Sequence, residues 1–304
     1  MSTSRGKRPI GLITDFGDGP YQGIMKAVIA SIDPNVKVID LDHWVPSYSI
    51  TAGAYIVANS FFWMPKGSVI AVVVDPGVGF GRNPIVVETE NYIFVGPDNG
   101  VLYPAIVRDG FKSAYIIEYS RIKNLVPVKF RGQLRSGEWQ ISNTFHGRDV
   151  FAPAAALIAS GTISPSDLGD PVGLEKLKKL SIEHLEVVNG YYRASVVYID
   201  KFGNVALSVK PNMLPIRKWR SVSIKTPAGM FRARVAETFS EVPANELLIY
   251  VNSFGFIEVA VNRGNAAQRL GLEVDMKVSI IPMEWERGEE ARGEEESARE
   301  SYAF

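Results

Sequence analysis

Residues 9–43 have the sequence PIGLITDFGDGPYQGIMKAVIASIDPNVKVIDLDH, and this stretch determines the architecture that we expect. It starts with a continuous apolar run over 9–16, which is typical of a strand covered on both faces. Apolar residues then recur with helical spacing over 21–32, before Pro34, and a second strand is indicated over 36–43. A strand, a helix and a strand in this order favour a parallel sheet with right-handed crossovers.

Strands and helices continue to alternate beyond this stretch. We predict a helix over 49–62, a third buried strand over SVIAVVVDPG (68–77), an added hairpin over IVVETENYIFVGP (85–97) and a helix over DVFAPAAALIASG (149–161). The first domain, residues 1–180, is therefore expected to be an α/β sandwich with a mainly parallel sheet.

After about residue 185 the pattern changes to short alternating runs between turns. Asn189-Gly190 is a strong two-residue hairpin signal, and KFGN, TPAG and NSFG at 201–204, 226–229 and 252–255 separate further strands. We predict a second domain, residues 186–283, that is a small antiparallel β-barrel or sandwich, with 162–184 as the connection. Residues 285–304 have too little apolar content to pack, so a charged, disordered tail is expected there.

The overall composition is that of an ordinary globular protein. Of the 304 residues 46% are hydrophobic and 22% charged, and lysine plus arginine equals aspartate plus glutamate at 33 each. This balance favours neither a nucleic-acid partner nor an acidic solvating chain. No cysteine is present, which excludes thiolate nucleophiles, thiolate metal sites and disulfides. No apolar run suits a signal peptide or a membrane span, so a soluble, cytoplasmic protein is expected.

Two carboxylates are expected at one edge of the parallel sheet. Asp15 closes the first strand and Asp75 closes the third, and ligands of open parallel sheets bind outside the carboxyl ends of the strands. The loop DPGVGFGR (75–82) follows, where three glycines permit tight turns and Arg82 can fold back towards Asp75. Its glycine spacing matches neither a Walker loop nor a dinucleotide fingerprint, so the loop alone is a weak signal.

His146 lies in NTFHGRDVFAPAAA (143–156), just before a helix. It can be a reactive residue at the sheet edge, or it can merely cap or pack against that helix, and the second interpretation carries at least equal weight. His43 and His184 come without metal-ligand spacing, so no metal site is expected.

Polar and aromatic residues are interleaved at the turns of the second domain. They are Asp200, Phe202 and Asn204 in one hairpin tip, Phe239 in TFS (238–240), and Asn252, Ser253 and Phe254 in YVNSFGF (250–256). Such groups could hold a nucleoside or an amino-acid head group. Ordinary turn chemistry with core aromatics explains the same pattern, and more often does so when a segment is considered alone.

Six segments together occur in an order that points to one enzyme family. They are ITDFG (13–17), the DPGVG loop with its arginine, GPDNG (96–100), FHGRDVFAP (145–153), IDKFGN (199–204) and NSFG (252–255). Over about residues 8–283 the chain resembles the S-adenosyl-L-methionine hydroxide adenosyltransferases, which are hydrolytic relatives of the fluorinase and chlorinase enzymes. The resemblance implies an α/β amino-terminal domain, a β-barrel carboxyl-terminal domain and a homotrimer with active sites between neighbouring subunits. It implies hydrolysis of S-adenosyl-L-methionine to adenosine and L-methionine, with no cofactor, since that molecule is the substrate.

The resemblance also implies roles for individual residues. The water-activating set of the family falls on Asp75, Arg82 and His146. Its ribose-binding aspartate matches Asp15, and its methionine-binding aspartate matches Asp200. Further pocket positions match Phe202, Asn204, Phe239 and Ser253, and Tyr48 takes the place of an aromatic residue near the substrate sulfur. In the halogenases a tyrosine replaces the aspartate of the water-activating set.

The chemistry of the reaction agrees with these roles. The sulfonium makes C5′ of the ribose electrophilic and leaves as a neutral thioether, so the scarce component is a competent nucleophile. Either Asp75 or His146 can take the proton of the water, and coupled titration leaves the choice between them open. Two alternatives remain: a halide-dependent adenosyltransferase, which a carboxylate facing the nucleophile would disfavour, and a non-catalytic S-adenosylmethionine or nucleoside sensor.

Overall fold

The computed structural model describes residues 7–126 and 139–283. Contacts within the chain divide it into two compact units, with the boundary between Ile182 and Glu183. The tail expected over residues 285–304 lies outside the described residues, and the domain limits given above stay predictions. No helix in the two described ranges is both long and apolar enough to cross a lipid bilayer.

The first unit is built on a six-stranded mixed sheet. Its elements are β1 (Ile10–Thr14), α1 (Pro20–Ile32), β2 (Val38–Asp42), α2 (Ile50–Ser60), β3 (Val69–Val73), β4 (Pro84–Thr89), β5 (Ile93–Pro97), α3 (Tyr103–Asp109), β6 (Phe111–Ile116), α4 (Tyr119–Leu125) and α5 (Ala152–Ala159). The sheet order is β2-β1-β3-β5-β4-β6. Strands β2, β1, β3 and β5 are parallel, whereas β4 is antiparallel to both β5 and β6.

This unit confirms the mainly parallel α/β fold. β1 and β3 are buried at every position, as their continuous apolar runs predict for strands that are covered on both faces. Helices α1 and α5 pack with β1 and β3 in one apolar cluster, and α2 packs against α3. The β4–β5 pair is the hairpin predicted over 85–97.

Two element boundaries differ from the sequence-based expectation. β3 ends at Val73, so Asp75 lies in the following loop and not in the strand. The helix predicted over 149–161 begins with a π-helical turn, Gly147–Phe151, in which Ala152 N–H donates to the carbonyl of Gly147. Pro153 has no N–H to donate to the carbonyl of Asp149, and the indole N–H of Trp139 bonds that oxygen instead, at 2.9 Å.

The second unit is a closed β-barrel. Its elements are β7 (Glu186–Val188), β8 (Tyr191–Ile199), β9 (Val205–Leu207), β10 (Ser221–Thr226), β11 (Gly229–Val235), β12 (Leu247–Val251), β13 (Ile257–Val261), α6 (Ala266–Leu270) and β14 (Lys277–Pro282). Strands pair in the order β14-β10-β11-β12-β13-β9-β8, and pairing of β14 with β8 closes the ring. β7 adds to β8 through the predicted turn, where Asn189 and Gly190 have φ of 50° and 79°. The barrel is antiparallel as predicted, apart from the parallel pair β11–β12.

Candidate active site

A cleft of about 690 Å³ opens in the first unit, and four of the predicted site residues line it. These four are Asp15, Tyr48, Asp75 and His146. Phe16, Tyr21 and Phe145 add an aromatic wall, with ring centroids 5.3 to 5.8 Å apart. Asp15 follows β1 and Asp75 follows β3, so the cleft lies at the carboxyl ends of parallel strands, where ligands of such sheets bind.

Arg82 joins Asp75 to His146 at the back of this cleft. Its Nε donates to Asp75 Oδ1 at 3.0 Å, and its Nη2 donates to Asp75 Oδ2, which makes a bidentate ion pair. The same Nη2 lies 2.9 Å from His146 Nδ1. The side chains of all three residues are buried, and the guanidinium lies over the ring of Phe151. Arg82 therefore folds back onto Asp75 as predicted, and it does not itself line the cleft.

The contact with Arg82 fixes the protonation of His146. A guanidinium can only donate, so Nδ1 of His146 must accept, and the ring proton of the neutral imidazole lies on Nε2. Burial lowers the pKa of His146 below its usual value of 6.5, and the charge of Arg82 lowers it further. The charges of Asp75 and Asp149 and a hydrogen bond to the backbone of Ser142 act in the opposite direction. The geometry and the pKa shift both favour a neutral imidazole.

One guanidinium nitrogen of Arg82 has no partner in the described residues. Its Nη1 is buried and has no hydrogen-bond partner among residues 7–126 and 139–283. Buried guanidinium nitrogens rarely go unsatisfied, because the loss of hydration is costly. A bound oxygen atom could accept this hydrogen bond.

Asp15 and Tyr48 also line the cleft. The backbone N–H of Tyr48 donates to Asp15 Oδ2 at 3.0 Å. Tyr48 has φ of 66°, an unfavourable value for an aromatic residue, and its ring is 75% exposed. Burial raises the pKa of Asp15, the backbone hydrogen bonds oppose this rise, and the nearby charge of Asp75 adds to it. A ligand that donates hydrogen bonds to Asp15 would relieve this destabilised carboxylate.

Two polar residues that hold the cleft in shape were not identified as site residues from the sequence. Asn99, in the GPDNG segment, donates from Nδ2 to the carbonyl of Val74, which immediately precedes Asp75. Asp149 accepts the N–H of Ser142 at 2.9 Å and a bidentate pair from Arg148, and it thereby closes the loop that carries His146. Both residues lie in motifs of the family resemblance, but no sequence spacing reveals these long-range partners.

The predicted residues of the second unit cluster around two turns. Asp200 Oδ1 accepts the N–H groups of Phe202 and Asn204, and Asp200 Oδ2 accepts Asn204 Nδ2 at 2.9 Å, so the turn chemistry considered above is present. Phe202 is 64% exposed, and Ser253 is exposed at the β12–β13 turn. The ring of Phe239 contacts Tyr250 on β12, with centroids 5.2 Å apart.

No group of three or more histidine, aspartate or glutamate side chains suited to a metal ion occurs within the described part of the chain. His43 instead bonds Thr14 through Nδ1 at 2.9 Å and Asp40 through Nε2 at 3.0 Å, which joins the ends of β1 and β2.

The chain is similar in sequence to proteins of one known family. Residues 10–169 match the family model of the SAM hydroxide adenosyltransferase N-terminal domain, and residues 194–279 match that of the C-terminal domain. An (R)-S-adenosyl-L-methionine hydrolase from Thermus thermophilus is 35% identical over 282 residues, which covers 90% of this chain and all of the relative. A second protein of that name, from Salinispora tropica, is 35% identical over 269 residues, covering 86% of this chain and 94% of its own length.

A solved structure and more distant relatives agree with these matches. The crystal structure of an uncharacterized conserved protein from Thermotoga maritima superposes with a TM-score of 0.76 at 31% identity, and it covers 90% of this chain and 99% of its own. A fluorinase from Actinoplanes is only 20% identical over 288 residues, covering 84% of this chain and 91% of its own length.

Proposed function

Since this chain belongs to the family of SAM hydroxide adenosyltransferases, we propose that it is the enzyme that hydrolyses S-adenosyl-L-methionine to adenosine and L-methionine. The observation that carries this proposal is the buried chain Asp75–Arg82–His146 at the edge of the cleft. Its three members act on water, and Asp15 holds the ribose of the substrate.

The hydrogen bonds support a division of roles within this chain. Both oxygens of Asp75 are oriented by Arg82, yet each carboxylate oxygen has a second lone pair that can accept a hydrogen from water. The Nδ1 lone pair of His146 is occupied by Arg82, which leaves only Nε2–H, a donor. We therefore assign the base to Asp75, and we assign to Arg82 and His146 the positioning of that base.

The reaction is a single in-line displacement. The water oxygen bonds to C5′ as the C5′–S bond breaks, and the electron pair of that bond stays on sulfur, which becomes a neutral thioether. The proton of the water passes to Asp75 and then to solvent. No acid is required for the leaving group, so positioning and deprotonation of water account for the catalysis.

The remaining roles follow the family resemblance. Asp15 accepts hydrogen bonds from the ribose hydroxyls, and Tyr48 lies near the sulfur. Residues of the barrel bind the methionine part, with Asp200 facing the ammonium and Phe202, Asn204, Phe239 and Ser253 around it. We further propose a homotrimer in which the barrel of one subunit completes the cleft of its neighbour. The cytoplasmic location expected from the sequence stays a prediction.

Two observations weigh against the halide-dependent alternative. Asp75 and Asp15 both line the cleft, and a halide ion would be repelled by two carboxylates. The hydrolases named above are also far more similar to this chain than the fluorinase is. A non-catalytic sensor would have no use for a buried aspartate–arginine–histidine chain beside its ligand.

One incubation separates these functions. Purified protein is mixed with S-adenosyl-L-methionine in heavy-oxygen water, with and without chloride or fluoride. We expect adenosine that carries the label at its 5′ oxygen, formed at a rate that halide does not change. A 5′-halogenated nucleoside would indicate the adenosyltransferase, and intact substrate that remains bound to the protein would indicate a sensor.

A further inference from the structure

Glu258 is a buried carboxyl group in the barrel to which the proposed function gives no role. It lies on β13, opposite Tyr250 of β12 and Ala206 of β9, and the residue is 8% exposed. The Tyr250 hydroxyl donates to Oε1, and Asn252 Nδ2 donates to Oε2 at 2.7 Å. Both oxygens are therefore held in a fixed geometry.

Asn252 and Tyr250, which donate these hydrogen bonds, each support a residue of the proposed methionine pocket. Asn252 Oδ1 accepts the N–H groups of Phe254 and Phe256, both at 3.0 Å, so this side chain forms the turn that carries Ser253. The Tyr250 ring packs against Phe239, with centroids 5.2 Å apart. Glu258 thus holds the supports of Ser253 and Phe239 in place.

Among residues 7–126 and 139–283, no lysine or arginine forms an ion pair with Glu258. Burial raises the pKa of Glu258, the hydrogen bonds from Asn252 and Tyr250 lower it, and the charge of Asp200 raises it. Tyr250 from β12 and Asp200 from the end of β8 are the titratable groups that act on it, since its neighbour on β9 is Ala206.

We propose that Glu258 is a specificity-determining residue for the methionine end of the substrate. It positions Ser253 and Phe239 through Asn252 and Tyr250, and when ionised it adds to Asp200 a second negative charge that attracts the ammonium group. The inference rests on the proposed function, because it presumes a substrate with a cationic amino-acid end.

A dependence of substrate binding on pH follows. Without substrate, the charge of Asp200 opposes the ionisation of Glu258, and an arriving ammonium offsets that effect. Binding therefore favours the ionised form of Glu258 and releases a proton where this group is still protonated. The KM for S-adenosyl-L-methionine should fall as the pH rises through the pKa of Glu258 in the free enzyme, while kcat changes little.

The test compares the full-length wild type with Glu258→Gln over a range of pH. Glutamine has the same shape and can bond both Asn252 and the Tyr250 hydroxyl, so the fold should persist. We expect KM to rise about tenfold or more with kcat nearly unchanged, because the variant loses a negative charge that attracts the ammonium group. The fall of KM with pH should disappear, and inhibition by adenosine, which lacks the ammonium, should stay as in the wild type. Glu246→Gln, at an exposed glutamate of the same unit, is the matched control and should match the wild type.

Several outcomes separate this inference from the proposed function. If the wild type forms no adenosine, the proposed function fails. If the wild type is active and Glu258→Gln retains its KM and pH profile, Glu258 has no such role.

Tyr250→Phe gives a second test that does not depend on the folding of the first variant. It removes a hydrogen bond that favours the ionised carboxylate, so the fall of KM should move to higher pH, and an unmoved profile would contradict the inference.

Discussion

Arg82 has two partners behind the cleft, and a change in either one alters what the other can do. Its Nη2 is shared between Asp75 Oδ2 and His146 Nδ1, so the carboxylate, the guanidinium and the imidazole form one hydrogen-bonded unit. Residues that act as a unit have strongly non-additive effects on catalysis. We therefore expect the double variant Asp75→Asn/His146→Asn to lose much less activity than the product of the two single losses.

Asp75→Asn tests the role of the carboxylate as base. The amide preserves the shape but removes the negative charge, and its NH₂ group would face a guanidinium that can only donate. We expect kcat to fall about 10²–10⁴-fold, because a positioned base contributes that much, while KM changes little. Steady-state kinetics on adenosine release measures both constants. Asp170→Asn, at an aspartate that is 81% exposed, should behave like the wild type. Normal turnover in Asp75→Asn would show that the base lies elsewhere.

The lowered pKa of His146 makes a prediction about stability. The folded protein disfavours the imidazolium, so its pKa lies below the value of 6.5 that the unfolded chain retains. The unfolded state then binds more protons, and stability is highest above pH 6.5 and falls as the pH drops towards the folded pKa. We expect urea unfolding of the wild type to show this loss and His146→Asn to lack that part of the slope. Equal slopes in the two proteins between pH 5 and 7 would contradict a neutral, buried His146.

The sequence could predict the site residues only as far as local patterns reach. Asp15 and Asp75 follow apolar strands, so their place at one sheet edge was predictable, and the glycines of 75–82 allowed Arg82 to return. The tautomer of His146 was not predictable, because it depends on a hydrogen bond between residues far apart in the sequence. Asn99 and Glu258 were missed for the same reason, since their roles come from their tertiary partners.

At the scale of elements, the cleft depends on close packing between the 75–82 loop and the 142–146 loop. Gly79 has φ of 80°, and a Cβ atom there would overlap the carbonyl oxygen of Asn143. Gly81 has nearly the same φ, 77°, yet nothing lies within 4 Å of its Cβ position. The two glycines form a matched pair, because alanine costs similar backbone strain at both.

We predict that Gly79→Ala separates the two loops and moves Arg82 away from His146. Its kcat should fall at least about tenfold, since small misplacements of catalytic groups are costly. Gly81→Ala should lose only stability, about 1–2 kcal/mol, with near-normal kcat. Steady-state kinetics gives kcat for both variants, and urea unfolding gives their free energies of unfolding. An equal loss of kcat in the two would show that loop strain alone matters and that the contact with Asn143 does not.

The π-helical turn after His146 shows why element boundaries resist prediction. The apolar pattern of 149–161 is helical, but Pro153 has no N–H for the carbonyl of Asp149, and Trp139 from outside the helix donates to that carbonyl instead.

Trp139→Phe should leave the Asp149 carbonyl unsatisfied and cost about 1–3 kcal/mol of unfolding free energy, with some loss of kcat because His146 begins this turn. Trp63→Phe, at a tryptophan that is 75% exposed, should have little effect on either quantity. Similar stabilities for the two variants would argue against this hydrogen bond.

At the scale of the whole molecule, the sequence predicts either a barrel or a sandwich for the second unit, and the structure shows a closed barrel. Alternating strands fit a sandwich and a barrel equally well, and the difference is the pairing of β8 with β14 from opposite ends of the unit. The proposed site would need the same kind of long-range partners, because Asp15 and Asp75 lie in the first unit and Asp200 in the second. The proposed homotrimer gives one ligand access to both sets by placing them on neighbouring subunits.

Mixed assemblies test that arrangement directly. Asp75→Asn impairs the first unit and Asp200→Ala impairs the second, so each variant alone should be nearly inactive at low substrate concentration. If a site takes its first unit from one subunit and its barrel from the next, unfolding and refolding the two variants together in equal amounts creates some sites with both aspartates intact. Random assembly of a cyclic trimer restores about one quarter of the sites, and activity should recover to about that fraction. Refolding each variant separately and then mixing should restore nothing. If co-refolded protein is equally inactive while native mass spectrometry, which separates the two variants by mass, shows that mixed trimers have formed, the site must lie within one chain.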